Sequence, residues 1–588
     1  MAQLADAVGR DAPPSGSRGS VGAGGIDRDA RLSVERAVAA VERNWRWALA
    51  ALLLADGLLL LYMGRGLTFF FDEWDYVIHD YGGGIHSLML AHNGHMSVVP
   101  VAIYKLLFHV VGLNHYAVYR LVLIALHLLC ASLVFVLVSR RESRVTALLA
   151  CALILFLGAA WEDLLWAFQI DYMLSIAGGL MAWVLLERRD RLGDLGATAA
   201  VAVSVASSGL GIAVLLGVFV ELALKRDWRR GYIVLIPAIL YGAWYLGYGE
   251  DVITNEGLIH SPGFSEDIAA AAFGGLVGHG LDWGRPLALL GFIVLLARLA
   301  RPSVISPRLA GLLVTGLSLW LLTAAARSNI SSAETGRYVY LGAVVIVLVC
   351  AELLRGVALS PRLLAVGAVA VAIFAITGLT LLRDGAVSLR GTSKTVTAEL
   401  GALELAAAHA PANYQPDPHL APQILAGPYL HTVHAIGSTP ADSPAALRTS
   451  DPTARTAADG VLLALAAPAL SGVSATGFAG DQGQVPPGVL AVSAGAAHSS
   501  GGCVTVRPLA PSAAAAVIDL PSTGLLIRAD GAAPVALAAR RFGDSFVALA
   551  GSVPARGTGE LRAVPDGAAG APWQLQLSAS SAFTACTT

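Results

Sequence analysis

The chain has 588 residues, of which 56% are hydrophobic and 14% are charged, and its formal net charge is −2. Soluble globular proteins average about 25% charged residues, so this composition excludes a disordered chain and a purely soluble enzyme. The near-neutral balance gives no sign of a nucleic-acid partner. Long apolar runs recur through the first two thirds of the sequence and predict a polytopic α-helical membrane protein.

The first part of the chain divides into a tail and a membrane domain. Residues 1–44 are rich in Gly, Ser, Ala and Arg and predict a disordered cytoplasmic tail. A transmembrane domain over 45–385 follows, with about eleven spans. We place these spans at 46–64, 116–138, 145–161, 172–187, 193–207, 209–224, 231–247, 284–300, 307–326, 338–355 and 362–382.

The charges of the connecting loops predict the orientation. Basic residues cluster in alternate loops, at 139–144, 187–191, 225–230, 298–308 and 355–362. Positive loops prefer the cytoplasmic side, so the N-terminus is predicted inside and the chain beyond 384 outside. The opposite loops carry the acidic residues, histidines and aromatics, which places the chemically active side chains on the outer face.

Residues 386–588 are predicted to form an extracytoplasmic, mainly β domain with a helical stretch near 394–410. Their short apolar runs are broken by turn residues, and the run at 573–577 alternates as a half-buried strand does. An exterior location permits a disulfide between Cys503 and Cys586. The alternative is two unpaired thiols.

Two adjacent carboxylates, Asp72 and Glu73, follow the first span and lie between aromatic residues. Aromatics at that depth suit the lipid headgroup region. A carboxylate held partly out of water there gains proton affinity and suits general-base catalysis. The alternative is a solvated acidic loop end.

The order of features in this loop carries a family resemblance. Histidines and Asn-Gly at 92–95 precede an apolar and basic, Pro-containing segment at 98–108, a Gly-Leu-Asn turn at 112–114, and a span that opens at Tyr116. This order resembles the opening of the GT-C superfamily of membrane glycosyltransferases, which includes protein O-mannosyltransferases and aminoarabinose transferases. The resemblance covers about residues 45–385 and implies polyprenyl-phosphate sugar donors.

The resemblance implies that Asp72 or Glu73 accepts the proton of an acceptor hydroxyl as that oxygen attacks the anomeric carbon of the sugar. Nearby negative charge also favours the oxocarbenium-like transition state. We choose Asp72 first, because the aromatic residues before it make it the more shielded of the two, and Asp75 is a spare. Asn93-Gly94-His95 departs from the pattern, since related chains often carry a further acidic residue here.

Two more loop patches are candidates for the site. Glu162 and Asp163 lie among Trp and Phe at a membrane boundary and could orient the acceptor or complete a cation site, or could form an interfacial belt.

Arg337 stands at the start of a late span, and an arginine at a membrane boundary is costly unless a negatively charged group pairs with it. A lipid phosphate suits its guanidinium, and an Arg337-Tyr338 pair resembles one in the superfamily; snorkelling to bulk headgroups is the alternative. Weaker phosphate candidates are Lys105 and Arg120.

His92 and His95 are three residues apart and would share one face of a helix, which suits a metal pair. No third ligand adjoins them, so polar lining of the sugar cavity is the favoured interpretation. Some members of the superfamily use a divalent cation, and the cofactor therefore stays open.

The sequence thus predicts a membrane glycosyltransferase of a bacterial plasma membrane. It would move a sugar from a polyprenyl-phosphate donor to a glycan or glycolipid acceptor of the cell envelope, at the outer face. One alternative is a transporter or flippase, which would use ionisable residues inside the spans; His127 is one such residue. A second is a non-enzymatic envelope scaffold.

Overall fold

The structure is a computed structural model that describes residues 23–300, 305–472, 486–509, 512–564 and 571–588, with side chains from Leu32 onward. Helices form the first four fifths of the described chain, and strands form the rest. The helices are α1 (Ala23–Arg43), α2 (Trp45–Met63), α3 (Glu73–Asp75), α4 (Val98–Val111), α5 (Tyr116–Ser139), α6 (Arg144–Leu155), α7 (Trp161–Leu165), α8 (Ile170–Leu186), α9 (Arg191–Val205), α10 (Leu210–Leu224), α11 (Tyr232–Tyr248), α12 (Asn255–Leu276), α13 (Leu281–Leu299), α14 (Pro307–Arg327), α15 (Gly336–Leu354), α16 (Pro361–Leu405), α17 (Ala426–Ile436), α18 (Pro444–Thr449) and α19 (Pro452–Ala466).

A small hairpin interrupts the helices, and a β sandwich ends the chain. The hairpin pairs β1 (Ala91–His92) with β2 (His95–Met96). The remaining strands are β3 (Ala469–Gly472), β4 (Val489–Ser493), β5 (Gly495–Ser500), β6 (Cys503–Pro508), β7 (Ala514–Asp519), β8 (Leu525–Ala529), β9 (Val535–Arg540), β10 (Val547–Val553), β11 (Thr558–Arg562), β12 (Gln574–Ala579) and β13 (Phe583–Thr587).

A polytopic membrane bundle is confirmed, but the described residues contain fewer full-length spans than the predicted eleven. Eight helical segments are long and apolar enough to cross a membrane: α2, α5, α6 with α7, α8, α11, α14, α15 and α16. A ninth span results if α12 and α13, which meet at 98°, count as one. The predicted spans at 193–207 and 209–224 are α9 and α10, with 15 residues each. Each is about 22 Å long, short of the roughly 30 Å hydrocarbon layer.

Helix starts follow local sequence signals. The Ser306 and Ser360 hydroxyls accept from backbone N–H groups in the first turns of α14 and α16, and proline occupies the first position of both helices. A hydroxyl cap followed by proline favours a helix start, since proline lacks an N–H that would go unpaired there. These capped starts fix the register of both helices.

The ends of the bundle differ in charge. At one end, Arg308 donates to Glu221 over 2.6 Å, and Arg141 bonds both Glu187 and Glu352. This ion-pair cluster joins the ends of α8, α10 and α15 to the start of α14. The acidic and aromatic loops lie at the opposite ends of the same helices, in agreement with the alternation of loop charge in the sequence.

The predicted disorder of residues 1–44 is wrong for Ala23–Arg43, which is helix α1. The Glu42 carboxylate accepts from the backbone N–H groups of Arg144 and Val145. Those groups have no partner within α6, so Glu42 satisfies them and fastens α1 to the bundle. The first 22 residues of the predicted tail lie outside the described part of the chain.

The predicted boundary at 385 also differs from the structure. Helix α16 has 45 residues and runs through this position to Leu405. It is about 67 Å long, so it extends well beyond the bilayer. It joins the bundle to the residues after Leu405, which we call the C-terminal part. Helices α17, α18 and α19 then occupy 426–466, and the mainly β region begins only at Ala469.

The C-terminal strands form two antiparallel sheets. Their orders are β10-β9-β12-β7-β4 and β3-β11-β8-β13-β6-β5. The structure contains the predicted disulfide between Cys503 and Cys586, which are paired positions on β6 and β13. The Asp459 carboxylate of α19 accepts from the backbone N–H groups of residues 541–543 and ties the helices to the sandwich.

Candidate active site

A cavity of about 180 Å³ lies where the loop after α2, the hairpin, the start of α8 and the facing ends of α14 and α15 converge. Its lining is aromatic and charged. The lining residues are Phe71, Asp72, His92, Asn93, His95, Phe168, Gln169, Asp171, Tyr172, Arg327, Ile330, Arg337 and Tyr338. Asp72 and Arg337, the two residues on which the predicted chemistry depends most, therefore border one space.

The Asp72 carboxylate is held by two amides. Asn93 donates from Nδ2 to Oδ2 over 3.1 Å, and Gln423 donates from Nε2 to Oδ1 over 3.1 Å. Burial raises the pKa of Asp72, while Arg337, Asn93 and Arg327 oppose this rise. Phe71, the preceding residue, has a φ of 46°, a conformation that costs energy for a non-glycine residue and occurs often at functional sites.

Glu73 points away from the cavity and is fully buried. Its carboxylate accepts from the hydroxyls of Tyr104 (2.5 Å) and Tyr116 (2.9 Å) and from the backbone N–H of Phe70 (3.1 Å). Burial raises its pKa to about 8, against these hydrogen bonds. The structure thus does not bring Glu73 to the site. The expectation that Asp72 is the more shielded carboxylate is wrong, since Glu73 is.

His92 and His95 lie on a hairpin and not on a helix. They are paired positions on either side of an Asn93-Gly94 turn in which both φ angles are positive, at 52° and 75°. Asn-Gly favours this type of turn. His92 Nε2 lies 3.1 Å from Asp80 Oδ2, and His95 accepts from Arg327 over 3.2 Å. Burial and the Arg327 charge lower the pKa of His95 to about 3, so it lines the cavity as a neutral group.

The cavity has two cations. Arg337 stacks on Tyr338, with the guanidinium carbon 5.6 Å from the ring centroid, and its backbone N–H donates to Glu162 over 3.1 Å. Arg327 donates to the backbone oxygen of Asn93 over 2.7 Å. Among the described residues no side-chain hydrogen bond is found for the Arg337 guanidinium, so its donors are available to a ligand.

Glu162 and Asp163 lie behind the cavity wall. Glu162 binds the first turn of α15 and so helps to place Arg337. Asp163 is fully buried, and neither of its oxygens has a hydrogen-bond partner among the described residues. The acidic residue of this segment that lines the cavity is Asp171, which also accepts from the Tyr172 backbone N–H over 2.6 Å.

Three other candidates lie elsewhere. Lys105 donates to the backbone oxygen of Gly84 over 2.7 Å, and Asp75 lies 3.3 Å from His79. Arg120 is only 2% exposed and donates to backbone oxygens near the ends of α2 and α7. Its guanidinium thus stabilises helix ends, and the structure does not place it, Lys105 or Asp75 at the cavity.

A smaller, mostly apolar space of about 50 Å³ adjoins the cavity at the start of α10 and the end of α14. It shares His95, Tyr172, Arg327 and Tyr338 with the cavity wall, and its other lining residues are Gly209, Leu210, Ala213, Leu319, Leu322, Thr323 and Ala326. These residues belong largely to helices that expose other apolar side chains, such as Phe219 and Leu321. The four shared residues make this apolar space a direct neighbour of the charged cavity.

Sequence reasoning missed Arg327, Asp171 and Gln423. Arg327 ends an apolar span, so the argument applied to Arg337 would have found it. Asp171 stands in the same aromatic segment as Asp163, and only the helix start at Ile170 turns it to the cavity. Gln423 is 351 residues from Asp72, and no local pattern marks it. In the described ranges no group of three or more His, Cys, Asp and Glu side chains is arranged to hold a metal ion.

Comparisons with known proteins give structural similarities only. No family model matches the chain. No curated protein matches it. The crystal structure of ArnT from Cupriavidus metallidurans bound to undecaprenyl phosphate overlaps 62% of this chain and 80% of its own, with 15% identity and a TM-score of 0.40.

The cryo-EM structure of the arabinosyltransferase EmbB from Mycobacterium smegmatis overlaps 93% of this chain with 11% identity and a TM-score of 0.34, and this chain spans 64% of its length. Structures of GT-C glycosyltransferases, the superfamily that the sequence resembles, are thus among those similar to this chain. Overlaps of this extent concern the course of the chain and locate no residues of the site.

Proposed function

We propose that this protein is a membrane glycosyltransferase that transfers a sugar from a polyprenyl-phosphate donor to a cell-envelope acceptor at the outer face of a bacterial plasma membrane. The observation that carries the proposal is the shared cavity of Asp72 and Arg337. A base for the acceptor and a cation for the leaving group are the two groups that such a transfer needs, and here they face one small space.

Asp72 is the proposed general base. The acceptor oxygen forms a bond to the anomeric carbon, the bond from that carbon to the phosphate oxygen breaks, and Asp72 takes the proton of the acceptor hydroxyl. Its raised pKa makes it a stronger base than an exposed aspartate. The two amides fix the carboxylate, which reduces the cost of orienting it during the reaction.

Arg337 is the proposed phosphate ligand. A guanidinium binds phosphate oxygens through two parallel hydrogen bonds and stabilises the charge that develops on the leaving group. Arg327, which lines the same cavity, adds positive charge to it. Tyr338 holds the Arg337 side chain through its ring.

The small apolar space at the start of α10 and the end of α14 supports a lipid-linked donor. A polyprenyl chain has no hydrogen-bonding groups and partitions into apolar surroundings. The apolar space and the cavity share Arg327 and Tyr338 as lining residues. A phosphate at the cations, with the first part of its lipid chain against this apolar space, would leave the sugar beside Asp72.

The alternative of a transporter rests on one feature within the spans. His127 Nε2 lies 3.2 Å from Asp56 Oδ2, His127 Nδ1 lies 2.8 Å from the Tyr340 hydroxyl, and all three residues are fully buried. Ionisable pairs inside a bundle are typical of proton-coupled transport. Solute counterflow in proteoliposomes that is lost in His127→Ala would favour this alternative.

A transfer assay tests the proposal. The protein in membrane vesicles is given polyprenyl-phosphate pentoses and hexoses together with envelope glycan acceptors, and labelled product is measured. Asp72→Asn should lower turnover by about 10²- to 10⁴-fold, while Asp75→Asn, a matched change at the same loop outside the cavity, should keep it. Transfer by Asp72→Asn at the wild-type rate would contradict the proposal.

A further inference from the structure

Gln423 joins the C-terminal part of the chain to the proposed base. It lies in the segment between α16 and α17, and its Nε2 donates to Asp72 Oδ1 over 3.1 Å. Asn93 bonds the other oxygen of the same carboxylate. The orientation of Asp72 is therefore set from two sides, by the hairpin and by the segment that carries Gln423.

The segment around Gln423 is held firmly. The Gln415 amide donates to the Pro422 oxygen over 2.6 Å, and the Ala426 N–H donates to the Tyr414 oxygen over 2.8 Å. These bonds close a compact loop, so the position of Gln423 is set by the fold of its own segment and does not depend on Asp72.

Helix α17 and the residues after it dock the same segment onto the loop that contains Asp72. The Tyr81 hydroxyl donates to the Ala435 oxygen over 3.2 Å, and the Leu113 N–H donates to the Ser438 hydroxyl over 2.8 Å. The rings of Trp74 and Tyr429 are 6.0 Å apart. The contact at Asp72 is thus part of an interface between the C-terminal part and the loop.

The other end of the Gln423 amide is unpaired. Its Oε1 is buried and has no hydrogen-bond partner among the described residues. A buried carbonyl oxygen without a partner destabilises the folded protein. An amide with only a structural role would be expected to satisfy both ends, so this cost favours a role for the bond to Asp72.

We propose that Gln423 is a positioning residue of the transfer reaction, through which the C-terminal part of the chain completes the active site by orienting Asp72. The inference rests on the proposed function. It assigns the C-terminal part a direct contribution to catalysis in addition to any binding of the acceptor.

The positioning role of Gln423 is tested by kcat and by the pH dependence of kcat/KM. Gln423→Leu removes the donor with little change in volume, so kcat should fall about tenfold, the effect of roughly one lost hydrogen bond to a charged group, while the KM for the donor stays the same. A carboxylate that loses a hydrogen-bond donor holds its proton more tightly, so the acid limb of kcat/KM should move to higher pH. Gln423→Glu adds negative charge beside Asp72 and should move the acid limb of kcat/KM further to higher pH.

A readout without activity separates this proposal from the proposed function. Thermal unfolding of Gln423→Leu, Asp72→Ala and the double variant should show effects that are not additive, because each single change removes the same contact. Asn413→Leu, a change to an exposed amide of the same segment, should leave the kinetics and the pH profile unchanged.

Additive unfolding effects, or an acid limb that stays in place in Gln423→Leu, would overturn the positioning role. If the wild-type protein transfers no sugar from any donor, the proposed function fails, and the unfolding cycle still decides whether Gln423 holds Asp72.

Discussion

Asp72 and Glu73 are neighbours in the sequence, and their carboxylates have opposite surroundings. Asp72 lines a cavity with two cations, whereas Glu73 is enclosed by the hydroxyls of Tyr104 and Tyr116. The sequence indicates that the pair is unusual, since two adjacent carboxylates lie between aromatic residues just after a span. The sequence does not show which of the two carboxylates faces the cavity, because that depends on the backbone turn at Phe71, where φ is positive.

The buried Glu73 carboxyl predicts a pH dependence of stability. Its pKa is about 8 in the folded protein, against 4.5 for the ordinary group. Between these values the unfolded chain releases the proton first, so the free energy of unfolding should fall as pH rises, by on the order of 3 kcal/mol. Thermal unfolding at pH 5 and pH 8 measures this fall.

Glu73→Gln cannot titrate and should show a smaller loss of stability between pH 5 and pH 8 than the wild type. Glu250→Gln, a change at an exposed glutamate, serves as the control and should behave as the wild type does. Equal losses in the Glu73→Gln variant and the wild type would show that Glu73 is not the titrating group.

Arg337 should act on the donor through its planar guanidinium. Arg337→Lys keeps the charge but cannot form two parallel hydrogen bonds to phosphate, so the KM for a polyprenyl-phosphate sugar should rise about tenfold. Arg65→Lys is the matched control, because Arg65 also lies over a tyrosine ring, that of Tyr62, at 3.9 Å and outside the cavity. A KM that is equal in Arg337→Lys and the wild type would argue against phosphate binding by Arg337.

At the scale of elements, the hairpin β1–β2 places three cavity residues at once. The Asn93-Gly94 pair is a recognisable hairpin signal, yet the spacing of His92 and His95 alone suggested a shared helix face. The two flanking strands have two residues each, which is too short to give a periodic pattern. The turn residues were therefore the only local indication of a hairpin.

Gly94→Ala should disturb this hairpin. Gly94 has a φ of 75°, and an added Cβ would lie 2.0 Å from a Val252 methyl carbon. The hairpin should shift and weaken the Asn93–Asp72 bond, so transfer activity should fall about tenfold or more, with little loss of thermal stability.

Gly82→Ala is the control for that change. Gly82 lies in the same loop, and an added Cβ there has no neighbour within 4 Å. If Gly94→Ala keeps full activity, the hairpin does not position the site.

The helix pattern shows where sequence reasoning about elements succeeds and fails. Long apolar runs with clear breaks, such as α5 and α15, were predicted within a few residues. Helices α9 and α10 were predicted as spans because each is apolar, but 15 residues give too little length. The 45-residue helix α16 was cut at 385, since its composition changes at the membrane boundary while its hydrogen bonding continues.

At the scale of the whole molecule, the sequence predicts the membrane bundle, the C-terminal strands and the disulfide, because each depends on local composition or compartment. It does not predict the contact between Gln423 and Asp72, which joins residues 351 positions apart. Contacts of this kind depend on how the C-terminal part docks on the bundle, and no local pattern encodes that docking.

The central claim is that one cavity receives both the lipid phosphate and the acceptor. A structure of the full-length protein in a lipid nanodisc with undecaprenyl phosphate tests it most directly, by the distance from the phosphate oxygens to the Arg337 guanidinium. We predict hydrogen-bond distances of about 2.7–2.9 Å, with the first part of the lipid chain at the start of α10 and the end of α14, and with Asp72 lining the same cavity. A phosphate bound elsewhere on the protein, with the cavity closed to it, would contradict the account.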